Sequence, residues 1–200
     1  AAARRALGAD APVVGVDEVG RGPLAGHVVA AAVVLGAAPA VGGLDDSQKL
    51  TARRRETIAG ELRAAQLPIA LGHATAAEID ALNILGASLL AMQRAVLALR
   101  LEPALVLVDG RHLPELPWPS LAVVRGDSQV AEIAAASIIA KVTRDAQMDR
   151  LHERWPAYGF DRHRGYPTAA HLAALRKHGP TPEHRRSFAP VRTLLEESTP

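Results

Sequence analysis

The sequence predicts an α/β fold, in which helices flank a mixed β-sheet and a small helical extension follows at the C-terminal end. Short valine-rich runs bounded by glycine and proline have the length and composition of buried strands. Between them lie longer segments whose apolar residues recur every three or four positions, as in helices that cover a sheet. With 200 residues and 48% hydrophobic content, the chain can form a proper core as one domain with a small appendage.

Five apolar runs are predicted to be strands. In chain order they are residues 13–19, 28–35, 68–74, 105–108 and 121–124. A glycine-rich turn, residues 20–26, joins the first two runs, which are therefore expected to form an antiparallel hairpin.

Four segments are predicted to be helices: residues 51–65, 76–100, 128–154 and 168–178. Thr51 is the expected cap of the first, and Thr75 with Glu78 forms a capping box at the start of the second. Gly179 is the expected C-cap of the fourth. A core-facing stripe runs along the second helix: Ile79, Leu82, Leu85, Leu89, Met92, Val96 and Leu99.

Acidic residues stand at the ends of predicted strands. They are Asp17 and Glu18 in the first, Asp109 after the fourth and Asp127 after the fifth. Strand ends at one edge of a sheet converge, and buried carboxylates are normally paired or bound to a metal. Four carboxylates around a cleft would hold two hard divalent cations about 4 Å apart, the arrangement used in phosphoryl transfer. Arg21, between two glycines, adds a guanidinium for a phosphate.

Two of the acidic residues also have a structural alternative. Asp127, beside Ser128, would make a good helix N-cap, and Asp109 followed by glycine is a common turn. Asp17 and Glu18 are harder to explain in this way, because neighbouring strand residues point to opposite faces and both cannot be solvated. The same alternation means that Glu18 would have to reach a shared metal through its backbone carbonyl or a local bulge.

Composition and motifs exclude several classes of function. The chain has no cysteine, which excludes disulfide scaffolds and thiol catalysis and is compatible with a reducing compartment. P-loop, zincin, hydrolase-elbow and Rossmann motifs are absent, and no stretch has the roughly 18 uncharged apolar residues of a membrane span. A net charge of +2 does not by itself indicate a polyanionic partner. Four tail histidines with irregular spacing are expected at the surface rather than on zinc: His163, His171, His178 and His184.

The segment from Gly15 to Gly26, with the sequence GVDEVGRGPLAG, resembles the signature of bacterial ribonuclease HII. The similarity continues in chain order through residues 46–50, 82–84, 108–110, 126–128, 134–145, 165–168, 178–179 and 184–191. It covers about residues 13–192, and motifs of this length in this order are highly specific. Type HIII relatives carry an extra N-terminal substrate-binding domain, whereas only about twelve residues precede the first predicted strand here, which favours type HII.

The resemblance implies a ribonuclease H-like catalytic domain over residues 1–157, with a basic helical substrate-binding extension over residues 158–200 packed on it. The implied protein is a cytoplasmic, monomeric endonuclease with no membrane partner. Its substrates would be RNA–DNA hybrids and duplex DNA with single embedded ribonucleotides, cut 5′ to the ribonucleotide to leave 3′-hydroxyl and 5′-phosphate ends. Two Mg²⁺ or Mn²⁺ ions would position and activate a water and stabilise the leaving 3′-oxygen, so that no protein general base is needed.

Matching positions carry the family's roles onto this chain. The catalytic and metal-binding quartet is Asp17, Glu18, Asp109 and Asp127. The turn that contacts the 2′-hydroxyl, the group that distinguishes RNA from DNA, is Gly20, Arg21 and Gly22. Tyr166 matches the aromatic residue that packs on the deoxyribose next to the junction, and without the resemblance it would be expected to cover the core.

Further residues are weaker candidates. Lys49 is expected to contact a phosphate, although Gln48 stands where the family usually has another lysine, and Ser47 and Asn83 are candidates for substrate contact. Spacing of four places a polar set on one face of the long helix, where it either supports the metal ligands from behind or forms a structural ion pair: Ser137, Lys141 and Asp145. The basic tail, residues 162–186, would add salt-sensitive contacts to the nucleic-acid backbone.

Two rival classes stay open: a nucleic-acid-binding module with a vestigial acidic site, and a DNA-only nuclease of similar architecture. The complete quartet argues against the first. Cleavage at a single ribonucleotide would distinguish the second.

Overall fold

The computed structural model describes residues 11–36 and 42–197 of the chain. The outer ends of the two predicted domains, residues 1–10 and 198–200, lie outside the described residues. The strands are β1 (Val13–Val19), β2 (Val28–Val33), β3 (Ile69–Ala74), β4 (Leu105–Asp109) and β5 (Ser120–Val123). All five match predicted strands to within one or two residues. They form one sheet in the order β3-β2-β1-β4-β5.

The sheet is mixed, as predicted. β1 pairs antiparallel with β2, which confirms the hairpin, and β2 pairs antiparallel with β3. β4 pairs in parallel with β1 on one side and with β5 on the other. Because these three neighbouring strands run in the same direction, their carboxyl ends meet at one edge of the sheet.

Helices cover both faces of the sheet. In the part of the chain described, they are α1 (Ala52–Ala64), α2 (Ala76–Ala98), α3 (Ala131–Arg154), α4 (Phe160–His163), α5 (Ala169–His178) and α6 (Ala189–Glu197). α2 packs on one face, whereas α1 and α3 pack on the other. The predicted caps at Thr51 and Gly179 and the capping box of Thr75 with Glu78 are confirmed. α4 and α6 were not predicted; α4 has only four residues, too few to show a periodic pattern.

Helix α2 is interrupted near its start. Asn83 has φ 61° and ψ 172°, and its side-chain Oδ1 accepts hydrogen bonds from the backbone N–H groups of Leu85 and Gly86. The interruption breaks the continuous apolar stripe, and the prediction that Leu82 faces the core is wrong, since it is 44% exposed. By length and composition alone α2 is apolar enough to cross a membrane. In this structure its buried residues pack against the sheet.

Helix α3 begins three residues later than predicted. Gly126–Ser128 forms a separate 3₁₀ turn that follows Arg125, a residue in the left-handed region with φ 56°. α3 then starts at Ala131, with Val130 at the N-cap position. The alternative explanation of Asp127 as the cap of the long helix is therefore wrong.

The C-terminal segment folds back onto the turn between β1 and β2. Leu24 packs with Leu175 and Val191. The Leu24 N–H donates to the carbonyl of Gly165 at 2.8 Å, and the Arg185 N–H donates to the carbonyl of Leu24 at 2.8 Å. The extension therefore packs against one side of residues 20–26, close to the end of β1.

Candidate active site

The four predicted acidic residues meet at the carboxyl edge of the sheet. Val16 of β1 is paired with Val108 of β4, so Asp17 and Asp109 occupy the next position on each strand. Asp109 Oδ1 accepts a hydrogen bond of 2.6 Å from the N–H of Gly126, which places the 3₁₀ turn and its Asp127 alongside. The charge of Asp109 lies close enough to raise the pKa of both Asp17 and Asp127.

Asp17 is buried on the side of the sheet covered by α3. Its Oδ1 accepts a hydrogen bond from the N–H of Glu18 at 2.8 Å, and Ser137 of α3 also hydrogen-bonds it. The Ser137 hydroxyl lies 2.8 Å from that of Ser47, which is itself buried. Burial raises the pKa of Asp17 well above its ordinary value, and the charges of Glu18 and Asp109 raise it further. Asp17 is thus held in place by groups that do not neutralise its charge.

Glu18 points to the opposite face, as the alternation of strand residues requires. The pairing of β1 with β2 is regular up to Val19, so the local bulge considered for Glu18 is not present. Its side chain lines a cleft of about 80 Å³ together with Arg21, Asp109 and residues of α2. Burial raises the pKa of Glu18 to about 6, even though the Arg21 guanidinium, 3.4 Å from Oε1, acts to lower it.

Asp127 brings a fifth carboxylate into the group. Burial raises the pKa of Asp127, and the charges of Asp46 and Asp109 raise it further. Asp46 belongs to the loop before α1 and hydrogen-bonds Asp127. Sequence analysis did not propose Asp46 as a site residue, because nothing in its local pattern places that loop beside the end of β5.

The acidic cluster has the chemistry of a divalent-cation site. Its donors are all carboxylate oxygens, the ligands that Mg²⁺ and Mn²⁺ prefer. Among the described residues, Arg21 alone forms an ion pair with one of the four acids. No three histidine, aspartate or glutamate side chains in this part of the chain are close enough to hold one ion as they stand. An ion held by three of these side chains would require them to move closer together. The cleft has room for an ion and its water, since one water needs roughly 10–15 Å³.

Two buried arginines hold the turn beside this cluster. Arg185 donates to the carbonyl of Gly20 at 2.6 Å, to that of Arg21 at 3.0 Å and twice to that of Gly26. Arg144 donates to the carbonyls of residues 25, 27 and 164. Burial lowers the pKa of both, to about 10 for Arg144 and about 9 for Arg185, so both stay charged at neutral pH.

The outer side of the turn is left open. The described chain gives no hydrogen-bond acceptor to the N–H groups of Arg21 and Gly22. Gly20 has φ 98°, and a Cβ there would lie 2.2 Å from Arg144 Nε, so the position requires glycine. A Cβ on Gly22 would lie 3.1 Å from Cε1 of Tyr166. The Tyr166 ring therefore lies against the turn and is 45% exposed, which contradicts the alternative that it covers the core.

The weaker candidates divide into two groups. Lys49 is exposed and lies 3.0 Å from Asp45, and its pKa is raised by that hydrogen bond and, more weakly, by the charge of Asp127. Gln48 is exposed beside it. Ser47 is buried, so it supports the acidic cluster rather than facing solvent. Asn83 is exposed at the interruption of α2.

On α3, Lys141 Nζ donates to Asp145 Oδ1 at 2.7 Å, and Arg55 lies 3.8 Å from the same carboxylate. This is the structural ion pair left open above. No hydrogen bond joins Lys141 or Asp145 to the four acids within the described residues. Of the polar set on this helix face, Ser137 is the member that contacts the acidic cluster.

The prediction that the tail histidines lie at the surface is wrong for two of them. His171 is completely buried and His184 is 2% exposed, and their Nε2 atoms are 3.1 Å apart. Arg185 is also buried, so it cannot make the backbone contacts predicted for the basic tail. Irregular spacing in sequence carries no information about such tertiary contacts.

Sequence analysis also missed the buried arginines behind the turn. For Arg144 a signal was available: it follows Ser137 by seven residues, two helical turns, and so shares the buried face of α3. Arg185 stands among other basic residues, so the sequence does not distinguish it from its exposed neighbours. A charged residue is almost never fully buried unless it is paired, which made both arginines poor candidates from composition alone.

The sequence of the chain is similar to those of known proteins. A sequence model of the family described as Ribonuclease HII matches residues 14–191. A ribonuclease HII of Delftia acidovorans (strain DSM 14801 / SPH-1) is 63% identical over 179 residues, which are 90% of this chain and 76% of that protein.

Solved structures share the fold. Ribonuclease H2 from Pyrococcus horikoshii OT3 superimposes with a TM-score of 0.76 and 27% identity, covering 92% of this chain and 97% of that one. Bst-RNase HIII in complex with Mn²⁺ superimposes with a TM-score of 0.72 and 20% identity, covering 98% of this chain and 72% of that one. The mixed sheet with flanking helices is thus a ribonuclease H-like fold. The chain belongs to the ribonuclease HII family, a family of metal-dependent ribonuclease H hydrolases.

Proposed function

We propose that this protein hydrolyses the RNA strand of RNA–DNA hybrids and cuts 5′ to single ribonucleotides embedded in duplex DNA, leaving 3′-hydroxyl and 5′-phosphate ends. The observation that carries the proposal is the meeting of Asp17, Glu18, Asp109 and Asp127 at one sheet edge, beside an arginine between two glycines. A binding module would have no need for a buried cluster of largely unpaired carboxylates, which costs stability.

The four acids are the proposed ligands of Mg²⁺ or Mn²⁺. When bound, the cations lower the pKa of a water and stabilise the leaving oxygen. The chain's own groups orient the ligands: the Gly126 N–H holds Asp109, and Ser137 holds Asp17. Mn²⁺ in the Bst-RNase HIII complex supports this choice of cation.

Selectivity for the ribonucleotide is proposed to come from the turn. The N–H groups of Arg21 and Gly22 lack acceptors in the described chain, and the absence of a side chain on Gly22 lets a ribose come close. A 2′-hydroxyl can accept such hydrogen bonds, and DNA lacks it. Tyr166, against Gly22, is placed to pack on the adjoining deoxyribose. Lys49 and Arg21 supply positive charge for phosphates.

Other parts of the proposal concern organisation. Residues 1–157 would form the catalytic domain and residues 158–200 the substrate-binding extension. We propose a cytoplasmic monomer without a membrane partner, acting on RNA–DNA hybrids and ribonucleotide-containing duplex DNA.

The test is cleavage of three labelled duplexes of one sequence: all DNA, DNA with a single ribonucleotide, and an RNA–DNA hybrid. We expect cleavage of the second and third in Mg²⁺ or Mn²⁺, at the 5′ side of the ribonucleotide, and none in EDTA. Asp109→Asn should keep the fold, measured by circular dichroism, and lose most of the cleavage. Binding without cleavage would support the binding module, and cleavage that ignores the ribonucleotide would support the DNA-only nuclease.

A further inference from the structure

The buried histidines of the extension are joined in a chain of hydrogen bonds that ends at Tyr166. The Thr181 N–H donates to Nδ1 of His184 at 3.0 Å. Nε2 of His184 lies 3.1 Å from Nε2 of His171, and Nδ1 of His171 lies 2.9 Å from the carbonyl oxygen of Tyr166. Nδ1 of His184 also lies 2.9 Å from the Thr181 hydroxyl, so every ring nitrogen of the pair has a partner.

The two ends of the chain fix where the protons are. Because the Thr181 N–H is a donor, Nδ1 of His184 must be an acceptor, and the proton of this ring is on Nε2. Because the Tyr166 carbonyl accepts, the proton of His171 is on Nδ1, and its Nε2 accepts from His184. A second proton on either ring would bring two donors face to face. The pair is therefore neutral, with one tautomer for each ring.

The surroundings keep the pair neutral. The His163 ring stacks on His171 at 4.5 Å, and the rings of Tyr158 and Phe160 pack against both histidines. Burial lowers the pKa of both, that of His184 to about 4. No ion pair reaches either ring among the described residues.

Tyr166 is held between this pair and the turn. Its carbonyl accepts hydrogen bonds from His171 and from the N–H of Thr168. The preceding carbonyl, that of Gly165, accepts from the N–H of Leu24 in the turn. Its ring lies against Gly22. The His171 bond is therefore one of the contacts that hold the residue that the proposed function places at the junction.

We propose that His171 and His184 are positioning residues that fix Tyr166 over Gly22 and thereby set the preference of the enzyme for the ribonucleotide junction. This inference rests on the proposed function of Tyr166. Neither histidine touches the substrate, and both act through the Tyr166 backbone.

The tautomers provide a test without substrate. In ¹⁵N-labelled protein at neutral pH, long-range imidazole spectra should show His171 protonated on Nδ1 and His184 on Nε2. The opposite tautomer at either ring, or a charged ring, would overturn the inference.

Two substitutions of His171 separate the effect of its hydrogen bond to Tyr166 from the effect of its packing. His171→Asn places its amide where Nδ1 was and keeps a donor for Tyr166, whereas His171→Gln places its amide where Nε2 was and loses that donor. Both remove the ring, so their loss of stability should be similar. We expect junction selectivity, the ratio of kcat/KM on the single-ribonucleotide duplex to that on the hybrid, to fall about three- to tenfold in His171→Gln, the effect of one hydrogen bond. It should stay close to wild type in His171→Asn. Equal losses in the two variants would overturn the proposal.

A double-mutant cycle tests the route through Tyr166. If His171 acts through this residue, His171→Gln should cause no further loss of selectivity in a Tyr166→Ala background, and additive losses would refute the inference. If His171→Gln does not fold, the tautomers of the wild-type protein remain the test, and a His171 ring without its proton on Nδ1 would overturn the inference. Failure of the proposed function has a different signature: the wild type does not cut at the junction, or Tyr166→Ala keeps full selectivity.

Discussion

Replacing Glu18 by glutamine is expected to stabilise the metal-free protein while removing a proposed metal ligand. The pKa of Glu18 is raised from 4.5 to about 6, a shift of about 1.5 units. At about 1.36 kcal/mol per unit, ionised Glu18 destabilises the folded state by about 2 kcal/mol. Because the folded pKa is the higher one, the carboxyl contributes stability below pH 4.5, and this contribution is lost as the pH rises through about 6. Glutamine keeps the shape and carries no charge at any pH.

The measurement is urea or thermal unfolding in EDTA at pH 4 and pH 8. At pH 8, Glu18→Gln should be more stable than wild type by about 2 kcal/mol, or about 4–8 °C in Tm for a chain of this size. At pH 4 the difference should disappear. Glu78→Gln is the matched control, and it should lower the stability at pH 8. The hydrogen bond from Arg94 lowers the pKa of Glu78 to about 2, so the ionised carboxylate stabilises the folded protein. A Glu18→Gln variant no more stable than wild type at pH 8 would show that burial of this charge is not costly.

Three further results are expected. Mn²⁺ in excess should raise the Tm of the wild type, because the folded state alone presents the clustered carboxylates, and Asp109→Asn should reduce that rise in a thermal-shift assay. Gly22→Ala should displace the Tyr166 ring, since the new Cβ would lie 3.1 Å from it, and should lower junction cleavage more than hybrid cleavage. Gly60→Ala, with nothing within 4 Å of its Cβ, is the control and should leave both rates unchanged. Arg185→Lys should leave turn carbonyls without donors and lower the free energy of unfolding by about 1–3 kcal/mol, measured in urea.

The sheet and its acidic edge were within reach of sequence reasoning because they depend on local pattern. Short apolar runs identified all five strands, and the acids at the ends of three of them followed from where those runs stop. The interruption at Asn83 was not predicted, since the apolar positions on either side keep helical spacing. Asparagine tolerates a positive φ, but the presence of one asparagine does not show that the backbone adopts a positive φ there.

The groups behind the site could not be predicted in this way. Arg144 and Arg185 bind carbonyls that are up to 119 and 165 residues away along the chain, and no local pattern in the sequence indicates such pairs. The two buried histidines are thirteen residues apart, with no common helix to relate them. Their burial depends on how the extension packs, which is a property of the whole fold.

The distance in sequence between the turn and the side chains that shape it has a consequence for biosynthesis. The ribosome makes residues 20–26 early and Arg185 near the end of the described chain. Until that guanidinium has left the exit tunnel, the carbonyls of Gly20 and Arg21 lack their donors, and the turn has no reason to hold its final shape. The nascent protein can therefore complete this turn only after Arg185 has emerged, later than the sheet that carries the acids.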